Sequence, residues 1–122
     1  MAGSVMTFTE VTHGSVKKIK AVWTSDDTTG AVSGTTTYPY SGRLIGAITV
    51  PSGVAAPSVN YDIAVNDVDS VDVALGALAN RSDVNTEFVA EASMAGIAHS
   101  KVTIAITGAG NSKQGTVYLF IR

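Results

Sequence analysis

The chain has 122 residues, 45% of them hydrophobic and 15% charged, and its eight Lys plus Arg against ten Asp plus Glu leave a formal net charge of -2. This size suits a single domain that buries a core unaided, the lack of cysteine excludes disulfides and Cys-based zinc sites, and so sparse a charge argues against nucleic acid as a partner, since phosphate binding rests on many cationic contacts. No apolar run approaches the ~20 residues of a membrane-crossing helix, and Met1 to Thr7 lacks the basic and apolar regions of a secretory signal, so the sequence points to synthesis in a cytoplasm and to no membrane partner.

Val and Thr suit a pleated surface, and recurrent Gly permits turns between short extended segments. Val5 to Thr12 is the first expected strand, followed by a turn at Thr12-His13-Gly14-Ser15. Over 16–24, Ile19, Ala21 and Trp23 share one face and Lys18 and Lys20 the other, the period-2 pattern of a half-buried strand. Ser25 to Gly30 is a polar loop, and Thr35 to Tyr38 resumes pairing until Pro39 interrupts it, which predicts a long hairpin. Residues 43–50 form another strand, stopped by Pro51-Ser52-Gly53. Tyr61, Ile63 and Val65 then alternate with Asp62, Ala64 and Asn66.

Between Ser70 and Asn80 the period changes: Val71, Leu75 and Leu78 recur at helical spacing behind a Ser70 N-cap, so a short helix is expected, weakened by Gly76. Residues 84–95 suit a helix through Val84, Phe88 and Ala92, or a strand over 86–90. Val102, Ile104 and Ile106, a turn region from Thr107 to Ser112, and then Val117, Leu119 and Ile121 with Tyr118 and Phe120 opposite read as the best hairpin of the chain. About seven strands and one short helix predict an all-β, mainly antiparallel sandwich or barrel, one domain over 1–122.

The residues assemble no catalytic or cofactor motif. His13 falls in a turn and His99 just before a strand, neither beside a nucleophile, so both read as surface histidines. Asp62, Asp67, Asp69 and Asp72, with Asn66, gather oxygen ligands of the kind calcium takes, but the ordered spacing of an EF-hand is absent and turn formation explains the same residues. That pattern leaves cation binding by the Asp67 to Asp72 loop open. Gly108-Ala109-Gly110-Asn111 precedes a strand instead of a helix and reads as a turn, not a phosphate cradle. Trp23, Tyr38, Tyr40, Arg43 and Arg81 are the candidate protein contacts, as aromatic and Arg side chains are enriched where proteins meet, although Trp23 aligns with the core residues Ile19 and Ala21.

Val16-Lys17-Lys18-Ile19-Lys20-Ala21-Val22-Trp23-Thr24-Ser25, Tyr61-Asp62-Ile63 through Asp67, Asp69 and Asp72-Val73, Asn80-Arg81-Ser82 and the closing Gly115-Thr116-Val117-Tyr118-Leu119-Phe120-Ile121-Arg122 carry a resemblance over most of the chain. In phrasing and layout the chain resembles small β-rich virion structural proteins of tailed bacteriophages, of the capsid decoration or cement type. That resemblance implies a non-enzymatic, cofactor-free protein, present in many copies on the capsid surface of the virion, that binds the major capsid protein and associates with itself as a homotrimer. A tail or head-to-tail connector component is the neighbouring reading. A calcium-dependent carbohydrate-binding β-sandwich, built on Trp23, Tyr38, Tyr40 and the Asp67 to Asp72 loop, is a third.

Overall fold

The computed structural model describes residues 4–90 and 94–122. Among these it is helix-free, with strands β1 (Val5–His13), β2 (Val16–Thr24), β3 (Val32–Thr35), β4 (Tyr40–Pro51), β5 (Asp62–Asn66), β6 (Glu87–Ala90), β7 (Gly96–Ser100), β8 (Thr103–Thr107) and β9 (Gln114–Ile121). All pairings are antiparallel. The larger sheet runs β1-β2-β9-β4-β6, with β7 also on β4, and the smaller runs β3-β8-β5. Neither closes on itself, so the all-β, antiparallel expectation resolves as a sandwich-like pair of sheets and not a barrel.

Alternation builds the core. In the large sheet Ile19, Ala21 and Trp23 of β2, Val117, Leu119 and Ile121 of β9, and Leu44 and Ala47 of β4 point inward; Val32, Ile63, Val65, Ile104 and Ile106 meet them from the small sheet. Met6 and Phe8 of β1 pack against Gly34 of β3, where a methyl group would approach the Phe8 ring to 2.9 Å. Trp23 is 1% exposed and covers Gly115, its register partner on β9; a Cβ there would fall 2.6 Å from the indole. The Trp23 and Tyr61 rings are 5.7 Å apart at 49°, a tilted contact joining β2 to the start of β5. Trp23 Nε1, Thr49 Oγ1 and Tyr61 OH are buried without hydrogen-bonded partners.

Three expectations are corrected. Val102 to Ile121 is not a hairpin: β8 lies in the small sheet and β9 in the centre of the large one. Both strands carry a fully apolar face, and facing sheets bury both faces against one core. The connection is anchored in place, with Ala109 fully buried, its N–H bonded to Gly30 O and its carbonyl accepting from Ser58 N–H, while Ser25 Oγ donates to Gly110 O at 2.6 Å. Likewise β2 and β3 do not form a long hairpin; β3 covers only Val32–Thr35 and pairs with β8.

The third correction is the short helix at 70–80, where the chain instead makes a series of turns. Ser70, Leu75, Gly76 and Asn80 all have positive φ, which no α-helix tolerates. The segment's backbone goes to β5: Val73 N–H bonds to Val65 O, Ile63 N–H to Leu78 O and Arg81 N–H to Tyr61 O. Consequently Val73, Ala74 and Leu78 are buried while Val71 and Leu75 face solvent. Nine strands replace the expected seven, because Gly96–Ser100 pairs with Tyr40–Arg43 and Glu87–Ala90 resolves the 84–95 ambiguity as a strand. Residues 91–93 of that stretch lie outside the described ones.

Replacing Gly115 by Ala forces a methyl into the indole, and overpacking of this kind costs typically 1–3 kcal/mol; urea unfolding of Gly115→Ala should show its midpoint lowered accordingly. Burial, above all, pushes the Tyr61 phenol up to about 12. Its neutral form is therefore favoured on folding, so its contribution is intact below pH 10 and is lost as pH rises from there toward about 12. Tyr61→Phe should lose less stability than the native chain across that window, as read by urea midpoints at each pH.

Candidate interaction surfaces

A groove opens where the chain enters β4. Glu10, Thr12 and Lys17 of the β1–β2 hairpin line one side and Tyr38, Pro39, Tyr40 and Ser41 the other. The Glu10 carboxylate accepts from Thr37 N–H at 2.9 Å, Tyr38 N–H at 3.2 Å and Tyr40 OH at 2.7 Å, and Lys17 Nζ donates to Ser41 O at 2.9 Å. Burial alone would raise the Glu10 carboxyl, but the bonds from Tyr40, Thr37 and Tyr38 together outweigh it and hold the group below its ordinary 4.5. The Tyr40 phenol is pushed well above its usual range, by burial first and by its anionic partner second. Tyr38, 60% exposed, stands on this braced loop.

The five sequence candidates do not converge. Tyr38 and Tyr40 share the groove, with the Tyr40 hydroxyl committed to Glu10. Trp23 lies in the core, where its alignment with Ile19 and Ala21 puts it, and reaches no surface. Arg43 is exposed on β4, its backbone exchanging both hydrogen bonds with Arg122 at 2.9 Å, and lies outside the groove lining. Arg81 folds back on its own turn, donating from Nε and Nη2 to Ala79 O at 3.1 and 3.0 Å, with Nη1 3.6 Å from Glu87.

A second surface is the outer face of the large sheet. Register carries it from Phe88 to Ile48, Tyr118 and Lys20, and in the adjacent row from Ala90 to Gly46, Phe120 and Lys18; Val50, Thr116 and Val22 form a third row. Phe88 is 64% exposed, its ring lying against Gly46, where a Cβ would meet it at 3.0 Å. Lys18 and Lys20 set their ammonium groups 5.2 and 5.9 Å from the Tyr118 ring centroid, a cation–π arrangement. Alternation turns Glu10 and Glu87 toward the opposite side, so among the described residues this face carries lysines and no carboxylate.

The third surface is the Asp67 to Gly76 loop outside β5. Asp67 Oδ1 accepts from Asp69 N–H and Val71 N–H at 2.9 and 3.0 Å; Asp72 Oδ1 accepts from Val65 and Ala74 N–H and its Oδ2 from Gly76 N–H, at 3.0 to 3.1 Å. These acids hold backbone turns. Among the described residues no three His, Cys, Asp or Glu side chains are grouped to hold a metal ion. With Trp23 in the core as well, the elements of the calcium-dependent sugar reading are not brought together. What the turns do present is aliphatic: Val68, Val71 and Leu75 are 70%, 50% and 61% exposed.

Sequence reading missed Glu10, Phe88 and this aliphatic loop. The alternation of Tyr118 and Phe120 against a core face was visible, but the strands that complete their outer face come from distant parts of the chain. The chain matches no protein-family model, no curated protein and no solved structure.

Because the Glu10 carboxyl lies below its ordinary value when folded, its ionised form favours folding: that contribution is present above about pH 4.5 and falls away as pH drops through the lowered value. Glu10→Gln should therefore be less stable than the native chain at neutral pH, and the gap should narrow below pH 4.5; thermal midpoints from pH 7 to 3 test this.

Proposed function

We propose that the chain is a non-enzymatic structural protein of a phage particle, a capsid decoration protein that binds the major capsid protein on the outside of the assembled head. The observation that carries this reading is Tyr38. An aromatic side chain 60% exposed, on a loop fixed by three hydrogen bonds to one carboxylate, is preorganised to fill a partner's pocket with little entropy left to lose. The helix-free two-sheet scaffold supports the same reading, as does the use of Glu10, Asp67 and Asp72 to brace backbone instead of to transfer protons. The resemblance to virion structural proteins supplies the partner.

Binding only to the assembled lattice stabilises it by mass action, and placement across subunit seams multiplies the effect through effective concentration. No cofactor is required. Purified protein incubated with bare heads should sediment with them and raise their disruption temperature. Tyr38→Ala should weaken that binding roughly 30-fold, the effect of a ~2 kcal/mol anchor, with its own unfolding midpoint unchanged. Recovery of the protein with tails and not heads, or with neither, would overturn the assignment.

A further inference from the structure

The outer sheet face and the Asp67 to Gly76 loop are complementary, and each carries apolar side chains outside the core: Phe88 exposed with Ile48, Tyr118 and Phe120 half-buried on the face, and three exposed aliphatics on the loop. The face sets these four beside two lysines, with no carboxylate among the described residues. The loop offers Val68, Val71 and Leu75 interleaved with Asp67 and the exposed Asp69. Single exposed aliphatics are ordinary, but an aromatic row across neighbouring strands and three exposed aliphatics on one short loop mark contact surfaces.

We infer that the loop of one copy docks on the outer sheet face of a second copy, setting Val68, Val71 and Leu75 on the Phe88-Ile48-Tyr118 row and Asp69 against Lys18 and Lys20. Backbone geometry gives independent support. Leu75 holds φ at +54° and Ser70 at +62°, conformations that are strained for a residue with a β-carbon and persist only where surroundings enforce them. Here three N–H bonds to the Asp72 carboxylate and two to Asp67 enforce them, and the result is an aliphatic side chain locked outward. A loop selected for solubility alone would carry Asn or Gly at Leu75. Opposite charge then chooses the mate: an aromatic face flanked by Lys18 and Lys20 disfavours a second copy of itself and favours an acidic rim.

The contact is heterologous. Different surfaces meet, so each copy has one donor loop and one acceptor face, and association closes into a ring or continues as a filament. It uses none of the residues that line the Tyr38 groove, and is read on purified protein without heads.

Two variants test it. Lys18→Glu/Lys20→Glu removes the face and Leu75→Asn removes the loop; because Asn tolerates positive φ, the second should leave the unfolding midpoint equal or higher while weakening self-association at least tenfold. By sedimentation at concentrations where the native chain is oligomeric, each variant alone should be monomeric. Mixed in equal amounts they should form a one-to-one dimer and nothing larger, since one intact loop meets one intact face. A monomeric native chain at high concentration, undiminished association of Leu75→Asn, or a mixture that stays monomeric would each overturn the inference. Circular dichroism melts of both variants establish that they are folded.

Discussion

Trp23 projects from β2 into the gap between the sheets, covers Gly115 on the neighbouring strand and meets the Tyr61 ring at the mouth of β5. An indole is the largest side chain available, and fitting it here requires a residue without a side chain beneath it. Gly115 of β9, the register partner of Trp23, meets that constraint. Three polar atoms are buried in the core, Trp23 Nε1, Thr49 Oγ1 and Tyr61 OH, none within ordinary hydrogen-bond geometry of a partner, although Thr49 lies close enough to Tyr61 to oppose the rise of its phenol.

With the centre fixed by packing, the margins are fixed by carboxylates. Glu10 ties the approach to β4 onto the β1–β2 hairpin, Asp72 ties three amides of the β5 return, and Asp67 closes the turn before it. These are charge-assisted bonds to backbone, the stronger sort, and they make irregular segments as well defined as strands. A cation site would compete for the same lone pairs. The acidic stretch of this chain is thus spent on holding backbone shape.

The distribution of side chains on that shape is uneven in a useful way. Lysines flank the aromatic outer face, while the acidic groups of the Asp67 to Asp72 loop lie outside β5 beside aliphatics. A small net charge of -2 conceals this separation, because opposite signs cancel in the sum but not across the surface. The groove at Tyr38 borders both: Lys17 of its lining precedes Lys18 in the chain, and Tyr40 is the register partner of Ser100, whose hydroxyl accepts from Val68 N–H at 3.0 Å.

Alternation marked β2, β5, β8 and β9 and the inward direction of Ile19, Ala21 and Trp23, because side-chain period is a local property of the backbone, while β-branched composition between turn residues marked β1 and β4. It could not decide which strands pair. Val102 to Ile106 and Val117 to Ile121 look like hairpin partners from their proximity, yet β9 fits between β2 and β4, where all its inward residues meet the core, and β8 fits opposite. The 70–80 stretch shows the same limit: its apolar spacing suits a helix, but amides satisfied by Asp72 and by β5 are a tertiary alternative that spacing does not register. Of the site, Tyr38 and Tyr40 were legible as aromatic residues in a loop; Glu10 was not, since it acts across 27 to 30 residues of chain. The sequence by itself determined the β character and which faces are apolar; the tertiary structure decided which of those faces stay open, because exposure depends on what lies opposite, and neighbours in space are not neighbours in the chain.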